Sequence, residues 1–241
     1  MKGHSGIEYC GWDSDFFQKK IGRIRAVDTV EIKEGLDKAG RTGYDCLFFE
    51  TAFANQKLVE YCFSHSFILT DLKTTLANPI IPREETRYPP DIATGYSQEV
   101  RQQIEDLAVE ELAPLSRYAF DPAFGMEKAK NLYREWVSRS INGEFSEVYF
   151  LSIPAPGVLA GFITLRLKQE SLFVDLFAVN PEFRSREIGS RLIKVAVIWA
   201  RKNGYKFLYV TTQGHNIPAL RTYEKNGFKI GSINLFFHRW L

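Results

Sequence analysis

Cysteine is scarce in this sequence: Cys10, Cys46 and Cys62 are the only three in 241 residues, and they lie far apart. An odd number at such spacing fits neither a disulfide framework nor a zinc site, whose ligands come in close pairs. The expectation is reduced thiols in a cytoplasmic protein, and no metal site. Long apolar runs are lacking too. No stretch reaches the ~18 uninterrupted apolar residues of a membrane span, and the N-terminal stretch MKGHSGIEYCGWDSDFF holds no apolar core of the secretory type, so neither a span nor a secretion signal is expected. A basic block is also missing. Lys+Arg 31 against Asp+Glu 29 leaves a formal net charge of +2, which argues against a general nucleic-acid or membrane-surface binder and leaves only local basic pockets open.

What is present is an ordinary globular composition, 45% apolar and 25% charged, in a chain with enough mass to bury a sizeable core. Apolar runs at Ile21 to Val30, Cys46 to Phe49 and Phe67 to Leu76, with a helical pattern from Asn55 to Phe63, predict a small α/β lobe over residues 1–88. The segment NPIIPREETRYPPD, Asn78 to Asp91, carries four prolines and mixed charge and reads as a linker. A second domain, 92–241, follows. It opens with a strand at Ile92 to Ser97 and a helix with Val100, Ile104, Leu107, Ala108 and Leu112 on one face. A second helix has its face at Ala129, Leu132, Tyr133, Trp136 and Val137. Val148 to Ile153, Val158 to Lys168 and Leu172 to Val179 predict an antiparallel meander. A helix with Ile188, Leu192, Val195 and Trp199, a strand at Phe207 to Thr212, a short helix at Pro218 to Asn226 and one or two strands over Phe228 to Trp240 complete it.

The two parts share a pattern. At a constant offset of 161, Gly43, Tyr44, Leu47, Thr51, Asn55 and Phe67 fall on Gly204, Tyr205, Leu208, Thr212, Asn216 and Phe228 without a gap. The first lobe reads either as a truncated copy of the C-terminal half, with Cys62 where the other copy has Tyr223, or as recurrence of a common strand and helix pattern.

The stretch Phe173 to Ala200 combines an apolar strand, a loop with arginines and a glycine, and an amphipathic helix. Free N–H groups and the dipole at such a helix start can hold an anion, usually phosphate, although any strand feeding a helix has the same outline.

The order of these elements from Ile92 onward resembles the GCN5-related N-acetyltransferase superfamily, and two motifs carry the resemblance. Ala178, Val179, Asn180 and Pro181, followed by Arg184, Ile188, Gly189 and Ser190, look like its acetyl-CoA motif. His215, Asn216, Ala219, Tyr223, Glu224, Gly227 and Phe228 look like its C-terminal signature. Glu187 departs from the pattern by standing where that family normally has a glycine. Its carboxylate would repel phosphate if it pointed inward, and would suit the helix dipole if it pointed to solvent. WDSDFF at Trp12 to Phe17, IGRI at Ile21 to Ile24 and the SRYAFDP loop further resemble the bacterial TDP-fucosamine acetyltransferase family, which acylates the 4-amino group of a dTDP-linked 4-amino-4,6-dideoxygalactose.

The resemblance implies an α/β fold with a mixed, mostly antiparallel central sheet flanked by helices, and an N-acetyltransferase that uses acetyl-CoA without a metal. A bulged or splayed strand at Leu176 to Val179, including Phe177, Ala178 and Val179, would offer backbone groups to the pantetheine arm. Arg184, Ser185, Arg186, Glu187, Ile188, Gly189 and Ser190 would receive the pyrophosphate. Asn216 would cap the short helix, bind coenzyme A, or do both. Tyr223, a phenol of ordinary pKa ~10, would give a proton to the departing thiolate, unless it only packs beside Leu220. For the base, Asp175 would relay a proton or pair with a nearby cation. His215 is a second candidate, and a water chain a third route. Arg117, Tyr118 and Phe120 would meet the acceptor by bidentate hydrogen bonding and stacking. The acceptor would be a small-molecule amine such as a nucleotide sugar, with a protein N-terminus and a non-catalytic acyl-CoA sensor as rival readings. Exposed C-terminal strands leave a homodimer open.

Overall fold

The computed structural model describes residues 6–81, 87–168 and 170–241. In chain order the elements are β1 Gly6–Tyr9, α1 Gly11–Phe17, β2 Ile21–Arg25, α2 Thr29–Thr42, β3 Cys46–Ala52, α3 Gln56–Ser64, β4 Ile68–Pro79, β5 Ile92–Ala93, α4 Gln98–Glu111 and α5 Arg117–Phe120. They continue with α6 Met126–Ile141, β6 Val148–Ser152, β7 Gly161–Lys168, β8 Ser171–Val179, α7 Ile188–Lys202, β9 Phe207–Gln213, α8 Ile217–Lys225 and β10 Lys229–Trp240. No helix among the described residues is long and apolar enough to cross a membrane.

Most elements lie where periodicity puts them. The apolar run Ile21 to Val30, however, is a strand only to Arg25, and α2 begins beyond it. Its start is a reciprocal cap that apolar spacing does not reveal. The Asp28 carboxylate accepts the Glu31 N–H at 2.9 Å, and the Glu31 carboxylate accepts the Val27 N–H at 2.8 Å. The expected strand from Ile92 to Ser97 shortens to Ile92–Ala93, because Ser97 caps α4 by accepting the Val100 N–H. Of the stretch read as a linker, Asn78 and Pro79 belong to β4, and residues 82–86 lie outside the described residues.

The chain packs as two compact units. The first takes the described residues up to Lys73 together with Arg117–Lys128 and Ile233–Leu241. The second takes Thr74–Ser116 and Ala129–Ser232. In the first, strand order is β1-β2-β3-β10-β4, with β2 and β3 parallel. Ile32 of α2 and Leu58 and Cys62 of α3 pack with Leu47, Phe49, Leu235 and Phe237 on one face of this sheet. The alternate residues Phe48, Phe236 and His238 face the other way and meet Tyr118 and Phe124 in a cluster of rings.

In the second unit the order is β10-β4-β9-β8-β7-β6-β5. The expected meander β6, β7, β8 is antiparallel, and β8 and β9 are parallel. Leu192, Val195 and Ala196 of α7 pack with Leu172, Val174, Leu208 and Val210 on one face. Ile104 and Ala108 of α4 and Val137 of α6 pack with Leu151, Phe162, Leu176 and Ala178 on the other. At roughly 2 kcal/mol for each fully buried Leu or Val, these two faces fix the sheet between its helices. This is the α/β class with a mixed, mostly antiparallel sheet that the sequence predicts.

The internal repeat is structural as well. β3, α3 and β4 begin at residues 46, 56 and 68, while β9, α8 and β10 begin at 207, 217 and 229, a displacement of 161 each time. Asn55 precedes α3 at φ −80° and ψ 62°, and Asn216 precedes α8 at φ −79° and ψ 67°. Gly43 and Gly204 both take the left-handed conformation, at φ 71° and 77°, that an L side chain resists.

Candidate active site

The site begins with an irregularity in β8. Ile163 pairs with Phe177 and Leu165 with Val174, so Asp175 and Leu176 together oppose Thr164 alone. This is a β-bulge, and it turns the side chains beyond it to new faces. The extra donor is not orphaned, because Thr164 Oγ1 accepts the Leu176 N–H at 3.1 Å. Gly161 lets the strands come this close, since a Cβ there would lie 2.7 Å from the Ala178 carbonyl oxygen. On its other edge, β8 pairs with β9 only over Leu172 to Val174 against Leu208 to Val210, although β8 continues to Val179 and β9 to Gln213. Beyond that register the edge of β8 has backbone groups that a ladder no longer satisfies.

A cavity of about 690 Å³ opens beside this edge. Phe177, Ala178 and Val179 line it from β8. Arg184, Ser185, Glu187, Ile188, Gly189 and Ser190 line it from the loop and the start of α7, and His215, Asn216, Ala219, Arg221, Thr222 and Lys225 from α8 and the turn before it. Ser185 and Glu187 both have positive φ, 62° and 61°. Left-handed residues two apart bend the loop ahead of α7, whose first turn has no side-chain cap. Glu187 thus adopts the conformation that favours glycine. Its carboxylate turns outward, 70% exposed, with Lys225 Nζ at 3.4 Å from Oε1. Arg184 is hydrogen-bonded to Glu111, another lining residue.

Helix α8 is set by its own cap, with Asn216 Oδ1 accepting the Ala219 N–H at 3.2 Å. Asn226 ties it to α7 by donating to Ser190 Oγ at 3.0 Å. Tyr223 is 4% exposed, with its ring 5.7 Å from Phe177 and 5.4 Å from Phe228. Burial pushes its phenol well above the ordinary 10, so it stays protonated throughout the neutral range. Burial lowers the pKa of His215, which faces the cavity as a neutral imidazole at pH 7.

All the residues assigned from sequence to the coenzyme line this cavity except Arg186, whose guanidinium packs over the Phe183 ring at 5.4 Å. Asp175 points elsewhere. Its side chain is 1% exposed, accepts from Trp136 Nε1 at 2.9 Å, and has Lys168 Nζ at 3.3 Å and Arg166 Nη1 at 3.9 Å. Arg117, Tyr118 and Phe120 belong to the first unit and do not line the cavity. There the Tyr118 hydroxyl donates to the Asp13 carboxylate, and the Arg117 guanidinium lies 5.1 Å from the Phe48 ring and 4.9 Å from the Phe236 ring. Phe120 is 52% exposed. Sequence reasoning missed Glu111, Arg221 and Lys225. Arg221 and Lys225 were within reach, because positions 217, 218, 221, 222 and 225 share one face of α8 at helical spacing. No group of His, Cys, Asp or Glu suited to a metal ion occurs among the described residues.

The profile of the Acetyltransferase (GNAT) family matches residues 104–228. The spore coat polysaccharide biosynthesis protein SpsD of Bacillus subtilis is 27% identical over 127 residues, covering 52% of this chain and 43% of that protein. The dTDP-fucosamine acetyltransferase of Escherichia coli is 26% identical over 119 residues, covering 49% and 50%. The chain thus spans about half the length of these curated relatives. A GCN5-related N-acetyltransferase from Sphaerobacter thermophilus superposes with a TM-score of 0.58 at 12% identity, covering 88% of this chain and 67% of the other, a likeness of fold.

Proposed function

The chain belongs to the acetyltransferase (GNAT) family, and from that premise we propose that it transfers an acetyl group from acetyl-CoA directly to a primary amine, the 4-amino group of a dTDP-linked amino sugar. The observation that carries the donor half is the β8 edge left unpaired past Val174, beside a cavity that the uncapped start of α7 also lines. Its volume is in the range of a cofactor pocket. An amide-bearing arm can pair with that edge as a short added strand, while a pyrophosphate takes the N–H groups of Ile188 to Ser190 at the positive end of α7. The exposure of Glu187 and its pairing with Lys225 support this reading, because the carboxylate is largely in solvent and its charge is answered by a lysine.

Acyl transfer needs a neutral amine, a polarised thioester carbonyl and a proton for the leaving sulfur. Tyr223 is suited to the last task. Its buried, fully protonated phenol packs on Phe177, a residue of the cavity wall, and hands its proton to the thiolate as the C–S bond breaks. The amine loses its proton to water or to the neutral imidazole of His215. The contacts of Asp175 support an anchoring role, since the Trp136 indole donates to Oδ2 and Lys168 Nζ forms an ion pair with Oδ1 at 3.3 Å. The acceptor half of the proposal draws on the similarity to the E. coli dTDP-fucosamine acetyltransferase.

The test is thiol release from acetyl-CoA with a panel of dTDP-amino sugars, peptides and polyamines. Release with dTDP-4-amino-4,6-dideoxygalactose is expected, and Tyr223→Phe should lower kcat by roughly 10²-fold or more. Release only with peptides or polyamines would overturn the acceptor, and tight acetyl-CoA binding without release would point to a sensor. Full activity of Tyr223→Phe would remove the tyrosine from the mechanism.

A further inference from the structure

The loop ahead of α7 holds two non-glycine residues in the left-handed conformation, Ser185 at φ 62° and Glu187 at φ 61°. Such residues are strained, and they persist only where the surrounding structure over-determines them. No side chain caps this end of α7, and Lys225, the partner of the Glu187 carboxylate, is itself 67% exposed, so the support comes from elsewhere.

Arg191, in the first turn of α7, grips the backbone on both sides of Glu187. Its main-chain N–H donates to the Glu187 carbonyl at 3.0 Å, and its Nη1 donates to the Arg186 carbonyl at 3.1 Å. The first is an ordinary helical bond, and the second is an addition made by this side chain. The two carbonyls belong to the two planar peptide groups that flank the Glu187 Cα, and the φ and ψ of a residue are the rotations of those planes about that atom. With both planes held, the left-handed turn at Glu187 is fixed.

The guanidinium is itself anchored. Its Nη2 donates to Asp91 Oδ2 at 3.3 Å, and the same oxygen accepts the hydroxyl of Ser152, a fully buried residue of β6, at 2.7 Å. The main chain fixes Asp91 in turn, since its carbonyl accepts the Ile153 N–H at 2.9 Å. Asp91 ends the stretch that the sequence marks as a linker, and here it ties the loop to the sheet through one arginine. A hydrogen bond from a charged donor is roughly twice as strong as a neutral one, which suits it to holding a strained residue in place.

We infer that Arg191, braced by Asp91, is the positioning residue of the coenzyme loop and holds a left-handed turn that glycine would adopt unaided. For acetyl-CoA this rests on the donor reading given above. A double-mutant cycle in the full chain tests it with two readouts, the urea denaturation midpoint without ligand and the Kd for acetyl-CoA by calorimetry. Arg191→Met keeps an aliphatic stem and removes the donors. It should lower the midpoint and weaken acetyl-CoA binding roughly tenfold, the scale of one charge-assisted bond, and Asp91→Asn should do both more weakly. In the Glu187→Gly background, Arg191→Met should cost less than about threefold in Kd and shift the midpoint less, because glycine needs no holding. Equal losses in the two backgrounds would show Arg191 acting through its charge or its packing, and an unchanged Kd in folded Arg191→Met would show a loop that needs no brace. Either result overturns the inference. The midpoints separate it from the donor reading. If the two substitutions couple in the midpoints but wild type does not bind acetyl-CoA, the brace stands and the donor reading falls. If acetyl-CoA binds wild type and every variant alike, the donor reading stands and the brace falls.

Discussion

Glu187 shows how one residue can break a local rule without losing the feature the rule protects. At φ 61° and ψ 11° it adopts a conformation natural to glycine, at a strain of roughly 1–2 kcal/mol. The left-handed turn keeps its shape with a side chain that is 70% exposed and paired with Lys225 at the rim of the cavity. Glu187→Gly should therefore raise stability by roughly 0.5–1 kcal/mol, the relieved strain less the added freedom of the unfolded chain. It should also lower the KM for acetyl-CoA, since Lys225 loses a competing carboxylate. Chemical denaturation and steady-state kinetics check the two parts, and an unchanged stability would mean the backbone is unstrained there. The family motif located this residue. Which way the carboxylate points depends on the fold around the loop, and the motif could not say.

Among the elements, β8 does the most for the site. Its apolar residues made it legible as a strand, and the family resemblance implied a bulged or splayed stretch at Leu176 to Val179; the bulge lies at Asp175 and Leu176, a position the residues alone do not mark, because they look like any polar and apolar pair within an alternating run. The bulge exists because β7 offers a short hydroxyl, Thr164, opposite the extra residue. Thr164→Val keeps the shape and removes that acceptor, leaving the Leu176 N–H buried without a partner. The expected cost is about 1–3 kcal/mol, measured by urea denaturation, with a rise in the acetyl-CoA KM as β8 straightens. Equal stability of the two proteins would show that the hydroxyl does not hold the bulge. Helix α2 illustrates the opposite case. Its start is set by the polar cap of Asp28 and Glu31, a signal present in the sequence that apolar periodicity passes over.

For the molecule as a whole, stability should respond to pH through two buried groups of the first unit that oppose each other. Burial lowers the His238 pKa from 6.5 to about 4, although Asp121 Oδ2 lies 2.7 Å from its Nδ1. Between those values the unfolded chain binds the proton more readily, so this contribution is full above about 6.5 and is lost as pH falls towards 4. Burial raises the Asp71 pKa from 3.8 to about 7, and its contribution is present at low pH and lost as pH rises through that value. The two slopes offset one another between about pH 4.5 and 6.5 in wild type. Asp71→Asn should uncover a stability that rises with pH across this window, and denaturation midpoints that stay flat in this variant would contradict the assignment to His238. The sequence by itself determined the order of elements from α4 onward apart from α5, the repeat at 161, the helical and sheet faces that build each core, and a strand, loop and helix start of the kind that can hold an anion, because these follow from local spacing and backbone chemistry. Only tertiary structure decided where the charged and aromatic side chains go. Asp175, read as a candidate base, is held by Trp136, Lys168 and Arg166, while Arg117 and Tyr118 are engaged by Asp13. A side chain's partners come from strands and helices far away in sequence, and no spacing along one segment specifies them.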